Sequence, residues 1–243
     1  MEIRKSGLAE EALEKGLSKF EEKKKEGVNL LLDKVEAELE PVRKMIADYE
    51  CAAMEVETKF KVLNTRFAVN GEKNPIESIK TRVKSADSIL RKMDKLGLPM
   101  TLEAVRNNLF DIAGVRVICS FIDDIYAVEK LFLDQEDVKL VTRKDYIENP
   151  KESGYRSLHL IIQTLIYTEN GEKDMYVEVQ MRTIAMDFWA SLDHKLRYKK
   201  NIDPQLLSKL AGEMEDCAKE ITKLDKRMLA VRQRILEVEE PEG

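Results

Sequence analysis

The chain has 243 residues, of which 43% are hydrophobic and 36% charged, and its 41 Lys and Arg against 46 Asp and Glu leave a formal net charge of -5. That length carries one sizeable core with a peripheral helical element, or two small domains, and the charge balance argues against a chain-wide nucleic-acid coat. Cys51, Cys119 and Cys217 are scattered, with no CxxC pair and no His/Cys cluster, so neither a disulfide framework nor a zinc site is supported.

No apolar leader opens the sequence and no run of about 18 apolar residues interrupts it, so a reduced, soluble, cytoplasmic protein is expected. Residues 8 to 70 predict a helix, because Val28, Leu31, Leu32, Val35, Leu39, Val42 and Ile46 recur at three- and four-residue steps. "VNGEKNP" (69–75) breaks that pattern as a loop. A second helix is predicted in "TRVKSADSILRKMDKLG", with Ala86, Ile89, Leu90, Met93 and Leu96 on an apolar face. Lys84, Ser88, Arg91, Lys92 and Lys95 lie opposite, and Gly97 and Pro99 stop the helix.

From residue 110 the pattern changes. "GVRVICSF" is β-branched and apolar, as a strand buried on both sides requires. "IDDIYAVEKLFLD" reads as a helix, "VKLVT", "SLHLIIQTLIY" and "MYVEVQMRT" as strands, and "IAMDFWASLDHKLRYKK" as a helix. The "TENGEKD" turn makes the last two strands an antiparallel hairpin. The expected fold is α/β (α+β): a central mixed sheet of about five strands flanked by helices, with long N- and C-terminal helices. The expected organisation is a helical region over 1–74, an α/β domain over 75–200 and a C-terminal helix over 201–243. In that last helix Leu207, Leu210, Met214, Cys217, Ile221, Leu224, Met228, Val231, Ile235 and Val238 form a heptad-like seam, which either packs on the N-terminal helix or drives self-association.

Several polar groups converge on the same part of the fold. "MYVEVQMRT" alternates, so Tyr176, Glu178, Gln180 and Arg182 share one face. His159 shares a strand face with Gln163 and reaches the same wall as Glu178 if the two strands pair. Asp111 stands where the chain enters the buried strand, and two neighbouring carboxylates suit Mg²⁺, which takes oxygen ligands, water and substrate phosphates. Arg116, inside an apolar strand, must reach a carboxylate or a ligand. The basic set Lys84, Ser88, Arg91 and Lys92 suits polyphosphate, and neither a P-loop nor a GxGxxG supplies that role instead. The loop "KDYIENPKESGYR" adds cations and an aromatic before a strand. This inventory matches magnesium-dependent phosphoryl or pyrophosphoryl transfer between nucleotides.

"RVKSADSILRKM", "DIAGVRVICSFIDDIY", "KDYIENPKESGYRSLHLI" and "VEVQMRTIAMDFWASLDHKLRYK" together resemble the synthetase domain of the RelA/SpoT family, the small alarmone synthetases (GTP pyrophosphokinases) in particular. The resemblance covers residues 75–200 and implies transfer of pyrophosphate from ATP to the 3′-hydroxyl of GDP or GTP in the stringent response, giving AMP and (p)ppGpp. It implies an adenine sandwich of Arg82 and Arg116, ATP-phosphate contacts from Lys84, Ser88 and Lys92, and a Mg²⁺ ligand in Asp111. Glu178 resembles the acid that helps hold the metal or activates the 3′-hydroxyl. Tyr155 resembles the guanine-stacking ring, and Lys144, Lys151, His159 and Gln180 the other guanine-nucleotide contacts. The family's small members form ring-like homotetramers through terminal helices, a role that suits the C-terminal seam. Two other readings use the same residues: a catalytically silent nucleotide sensor, against which intact Asp111 and Glu178 argue, and an RNA-binding or helical scaffold, against which the net charge and the lack of a basic-aromatic stripe argue.

Overall fold

The computed structural model describes the backbone of residues 3–69, 74–197 and 204–239. It divides into two compact units, Met1–Ile46 and Ala47–Gly243. The first unit consists of the leading part of helix α1 (Ile3–Val69). The second holds the rest of α1 and all other elements: β1 (Ile76–Val83), α2 (Ala86–Lys95), α3 (Leu102–Asn108), β2 (Ala113–Cys119), α4 (Ile122–Leu133), β3 (Val138–Asp145), β4 (Leu158–Thr168), β5 (Gly171–Thr183), α5 (Ile184–Arg197) and α6 (Pro204–Glu239). No described helix is long and apolar enough to cross a membrane.

The five strands form one mixed sheet in the order β1-β2-β5-β4-β3. β2 and β5 run parallel, and the other neighbours are antiparallel. β4 and β5 are joined by a tight turn at Glu169 and Asn170, and Gly171 follows at φ 100°, in the left-handed region that favours glycine. The alternation expected of β5 is realised: Met175, Val177, Val179 and Met181 are buried, while Tyr176, Glu178 and Gln180 stay partly open. In β4, Leu158, Leu160 and Ile162 are buried and His159, Ile161 and Gln163 face the other way.

One side of the sheet is therefore a core face. α4 supplies Ile125, Val128 and Phe132 to this core, all fully buried. The α1 residues Tyr49, Ala52, Ala53, Val56 and Phe60 complete it at helical spacing. Phe60 stacks on Phe132 at a centroid separation of 4.3 Å, which adds about 0.5–1.5 kcal/mol beyond area burial. The opposite side of the sheet, carrying Arg116, Glu178, Gln180 and His159, is only partly covered.

Two elements depart from expectation. Residues 81–83 belong to β1 rather than to the second helix, which starts at Ala86 behind the N-cap Ser85. β1 is an edge strand in which only Ile76 is buried, so its sequence shows no period-two alternation. Lys84 thus lies between β1 and α2 and not on the helix face. In α2 itself only Ile89 and Met93 are buried, while Leu90 and Leu96 of the expected apolar face are exposed. The short helix α3, capped by Thr101, was not expected either, being too brief to show a period.

Among the described side chains, which leave out Leu207 and Val238, the C-terminal seam splits into two stripes. α6 packs on α5, where the Trp189 Nε1–H donates to the Met214 carbonyl at 3.0 Å. It also reaches the start of α4, where Arg232 pairs with Asp124 at 2.7 Å. Leu224, Met228, Val231 and Ile235 remain exposed, whereas Ile221 lines a small void beside Gly154 and Trp189.

Candidate active site

β1 and β2 bring Arg82 and Arg116 to one side of a cleft of about 410 Å³, also lined by Lys84, Asp111, Gly114, Glu178 and Gln180. The parallel register sets Gly114 beside Glu178 and Arg116 beside Gln180. Gly114 keeps the floor of the cleft open next to Glu178, because it adds no side chain there. A second hollow, of about 560 Å³, continues from Arg82 and Arg116 to Tyr155, Arg182 and α5 residues 190–195.

Asp111 sits just before β2, where Lys84 and Lys92 converge on it. Its Oδ2 lies 2.5 Å from Lys92 Nζ and 3.0 Å from Lys84 Nζ, and Lys84 also donates to the Asp111 carbonyl. Burial pushes the Asp111 carboxyl up, but the hydrogen bonds and charges of the two lysines outweigh it and hold the group below its ordinary value. Asp111 Oδ1 is buried and has no hydrogen-bond partner, so it has an unused lone pair of the kind a hard cation takes. Among the described residues no group of three or more His, Cys, Asp or Glu could hold a metal ion. Two carboxylates that leave positions for water and phosphate fit Mg²⁺ better than a closed site would.

Ser88 lies in the first turn of α2, its amide bonded to the Ser85 hydroxyl at 3.3 Å. The helix start there is suited to phosphate oxygens. Lys92 follows one turn later. Arg91 of the basic set points elsewhere: it pairs with Asp87 at 2.6 Å on the exposed side of the helix.

Glu178, on β5, meets His159 across the β4–β5 ladder, with His159 Nδ1 3.2 Å from Glu178 Oε1. Gln180 Nε2–H donates to Glu178 Oε2 at 2.9 Å. His159 Nε2 lies 2.8 Å from the Tyr155 hydroxyl, which accepts from Arg182 Nη2 at 2.7 Å. Donor logic orients this chain. Arg182 can only donate, so the Tyr155 proton is directed to His159 Nε2, and the remaining Nδ1–H of a neutral imidazole donates to Glu178. Burial pushes the Glu178 carboxyl up, and Asp111 adds a smaller push in the same direction. The hydrogen bonds from His159 and Gln180 outweigh both, leaving Glu178 below its ordinary value and ionised at neutral pH.

The loop before β4 lies on the same side. Lys151 Nζ sits 4.6 Å from the Tyr146 ring centroid and 5.1 Å from that of Tyr155. Lys144 is exposed on β3 and pairs in register with His159. All twelve site residues expected from the sequence thus lie along the open side of the sheet or the segments bordering it. Arg182 and Asp187 were missed as site residues. Asp187 Oδ1 accepts from Arg182 Nη1 at 3.0 Å and lies 3.5 Å from Arg116 Nη1, so it answers the demand that Arg116 find a carboxylate. The alternation of β5 already placed Arg182 on this face, but the phase of α5, which brings Asp187 back to it, is not readable from a strand pattern.

Comparison with known proteins agrees with this geometry. Residues 81–203 match the family described as "Region found in RelA / SpoT proteins". The chain is 40% identical over 204 residues to the GTP pyrophosphokinase YwaC of Bacillus subtilis, covering 84% of this chain and 96% of the relative. Identity to the GTP pyrophosphokinase YjbM of the same organism is 34% over 197 residues, covering 81% and 90%. Among solved structures, small alarmone synthetase 1 from Bacillus subtilis bound to its product pppGpp superimposes with a TM-score of 0.73 at 34% identity, covering 80% of this chain and 98% of that one. Small alarmone synthetase 2 from the same bacterium gives 0.70 at 41% identity, covering 79% and 98%. The chain belongs to the RelA/SpoT family.

Proposed function

We infer that the protein is a GTP pyrophosphokinase that transfers pyrophosphate from ATP to the 3′-hydroxyl of GDP or GTP, releasing AMP and making (p)ppGpp. The observation that carries this reading is a cleft lined by Asp111, Glu178, Lys84, Arg82 and Arg116 that adjoins a hollow lined by Tyr155. The similar small alarmone synthetase 1 of Bacillus subtilis has been solved with its product pppGpp and with AMPCPP, which supports nucleotides as the occupants here.

Both substrates are polyanions, so Lys84, Lys92 and Arg116 would offset their mutual repulsion. Lys84 and Lys92 rest on Asp111; an arriving ATP would take over their donors and release the carboxylate. Asp111 and Glu178 would then hold Mg²⁺, which screens the phosphate charge and polarises the transferred group. Arg82 and Arg116, which line both hollows, are expected to take the adenine. Tyr155 lines the second hollow, and with Lys151, Lys144, His159 and Gln180 it is expected to contact the acceptor. Glu178, ionised and oriented by His159 and Gln180, is the group suited to accept the 3′-hydroxyl proton. Because two bound molecules react, their orientation supplies much of the acceleration.

Incubating the pure protein with Mg²⁺, ATP and GDP and separating the nucleotides by chromatography is expected to give AMP and ppGpp. Nucleotide binding without turnover would instead establish a silent sensor. Tyr155→Ala is expected to raise the acceptor KM about 5- to 150-fold, since stacking on a ring is worth roughly 1–3 kcal/mol per base. The ATP KM should hardly change, and an unchanged acceptor KM would remove Tyr155 from the guanine site.

A homo-oligomer is proposed from the exposed stripe of α6. Leu224 and Met228 are 54% and 51% exposed, an unusual cost for aligned apolar side chains on one helix. Placing Asp at both positions should give a smaller particle by light scattering while the circular-dichroism spectrum is kept. A wild-type protein that is already monomeric at micromolar concentration would contradict the proposal.

A further inference from the structure

We propose that α6 is the backstop of the acceptor-nucleotide loop, with Ala218 and Asp225 as the positioning residues that fix where the loop presents Tyr155 and Lys151. This rests on the reading of that loop as the acceptor site. The tip of the loop is a tight turn closed by two bonds, from the Gly154 amide to the Lys151 carbonyl at 2.8 Å and from the Lys151 amide to the Tyr155 carbonyl at 3.2 Å. Gly154 has φ 83° and lies so close to α6 that a Cβ there would stand 2.4 Å from Ala218 Cβ. The turn therefore rests on the helix at the point where both chains are smallest.

Two residues on, Arg156 is buried and ties the same loop to the same helix. Its Nη1 lies 3.4 Å from Thr222 Oγ1 and 3.9 Å from Asp225 Oδ2. Its Nε and Nη2 donate to the Ile147 carbonyl at the start of the loop, both at 3.4 Å. Asp225, itself buried, accepts from Thr183 Oγ1 at 2.9 Å. Thr183 ends β5, the strand that carries Glu178, Gln180 and Arg182. One carboxylate of α6 thus references the acceptor loop to the catalytic strand. Met214, Ala218, Thr222 and Asp225 fall at helical steps on one stripe, and Met214 receives Trp189, whose ring stands 6.5 Å from Tyr155. The Tyr155 hydroxyl is held on the sheet by His159 and Arg182, whereas the backbone of the turn rests on α6, so displacing α6 by an ångström shifts the backbone from which the guanine platform projects.

Two substitutions in the full chain test this, with GDP and ATP varied separately at saturating Mg²⁺ and Tyr155→Ala run in parallel. Ala218→Leu pushes a larger side chain into the Gly154 contact, and Asp225→Asn removes the charge facing Arg156 at nearly constant size. Each is expected to raise the acceptor KM about tenfold, with the ATP KM and the kcat at saturation of both substrates within about twofold of wild type. Trp189, the single tryptophan, should shift its emission in both variants, reporting the moved junction. If Ala218→Leu does not fold, Asp225→Asn alone decides. The proposal is overturned if the variants raise both KM values together, or leave the acceptor KM unchanged while Tyr155→Ala raises it. If Tyr155→Ala also leaves the acceptor KM unchanged, the loop is not the acceptor site and the proposal falls with that reading.

Discussion

Replacing Glu178 by Gln is expected to lower kcat by about 10²–10⁴, the usual span for a lost general base, with both nucleotide KM values little changed. Gln keeps the size of the side chain and one oxygen to accept the His159 Nδ1–H. What it loses is the negative charge and the ability to take a proton. The expected selectivity for kcat follows from the surroundings: Glu178 rises from a strand whose other face is fully buried, so the substitution leaves Val177 and Val179 where they are. The low pKa of Glu178 does not argue against the role. A carboxylate held ionised by His159 and Gln180 is available in the correct form at every physiological pH, and the cleft supplies orientation in place of basicity. The hydrogen-bond chain behind it gives the prediction a second edge. Since Arg182, Tyr155 and His159 point their donors in one direction toward Glu178, loss of the anion should also loosen His159. A Glu178→Gln enzyme that keeps near wild-type kcat with both substrates saturating would transfer the base role elsewhere.

How much of this was legible in the sequence depended on whether a residue's environment is local. The alternation of Met175, Val177, Val179 and Met181 against Tyr176, Glu178 and Gln180 is set by the pleat alone, and it appears in the structure as read. The approach of His159 to Glu178 needed only that β4 and β5 form a hairpin, which the Gly171 turn makes natural. β1 was not legible, because an edge strand with one open side carries no hydrophobic period, and its residues passed for the start of α2. Asp187 was not legible either, since its value lies in a contact with Arg116, seventy-one positions earlier, that only the parallel β2–β5 pairing creates. The C-terminal seam shows the same limit in another form. Its period was plain, but period cannot say which half of an apolar stripe the chain itself covers, and the packing of Gly154 against Ala218 draws that line.

Replacing Asp111 by Asn is expected to cut turnover about 10²-fold at ordinary Mg²⁺, in the range found when one preorganised electrostatic group is removed, and to move the Mg²⁺ requirement upward. Asn still offers an oxygen but no charge, so a cation held between Asp111 and Glu178 would lose one of its two protein carboxylates. Excess Mg²⁺ should therefore restore part of the activity, which it cannot do for Glu178→Gln if proton transfer is what that variant lacks. ATP affinity should hold or improve, because Lys84 and Lys92 no longer rest on a carboxylate before the phosphates arrive. Stability should move as well, and its pH dependence fixes the sign. The native Asp111 carboxyl lies below its ordinary value of 3.8, so the ionised group favours the folded state at any pH above that value, and this contribution fades as pH falls from there through the native pKa. The Asn variant should accordingly melt lower than wild type at neutral pH, with the gap closing below the ordinary carboxylate range. An Asp111→Asn enzyme whose Mg²⁺ midpoint and kcat both match wild type would show that the orphaned Oδ1 in the cleft serves no metal.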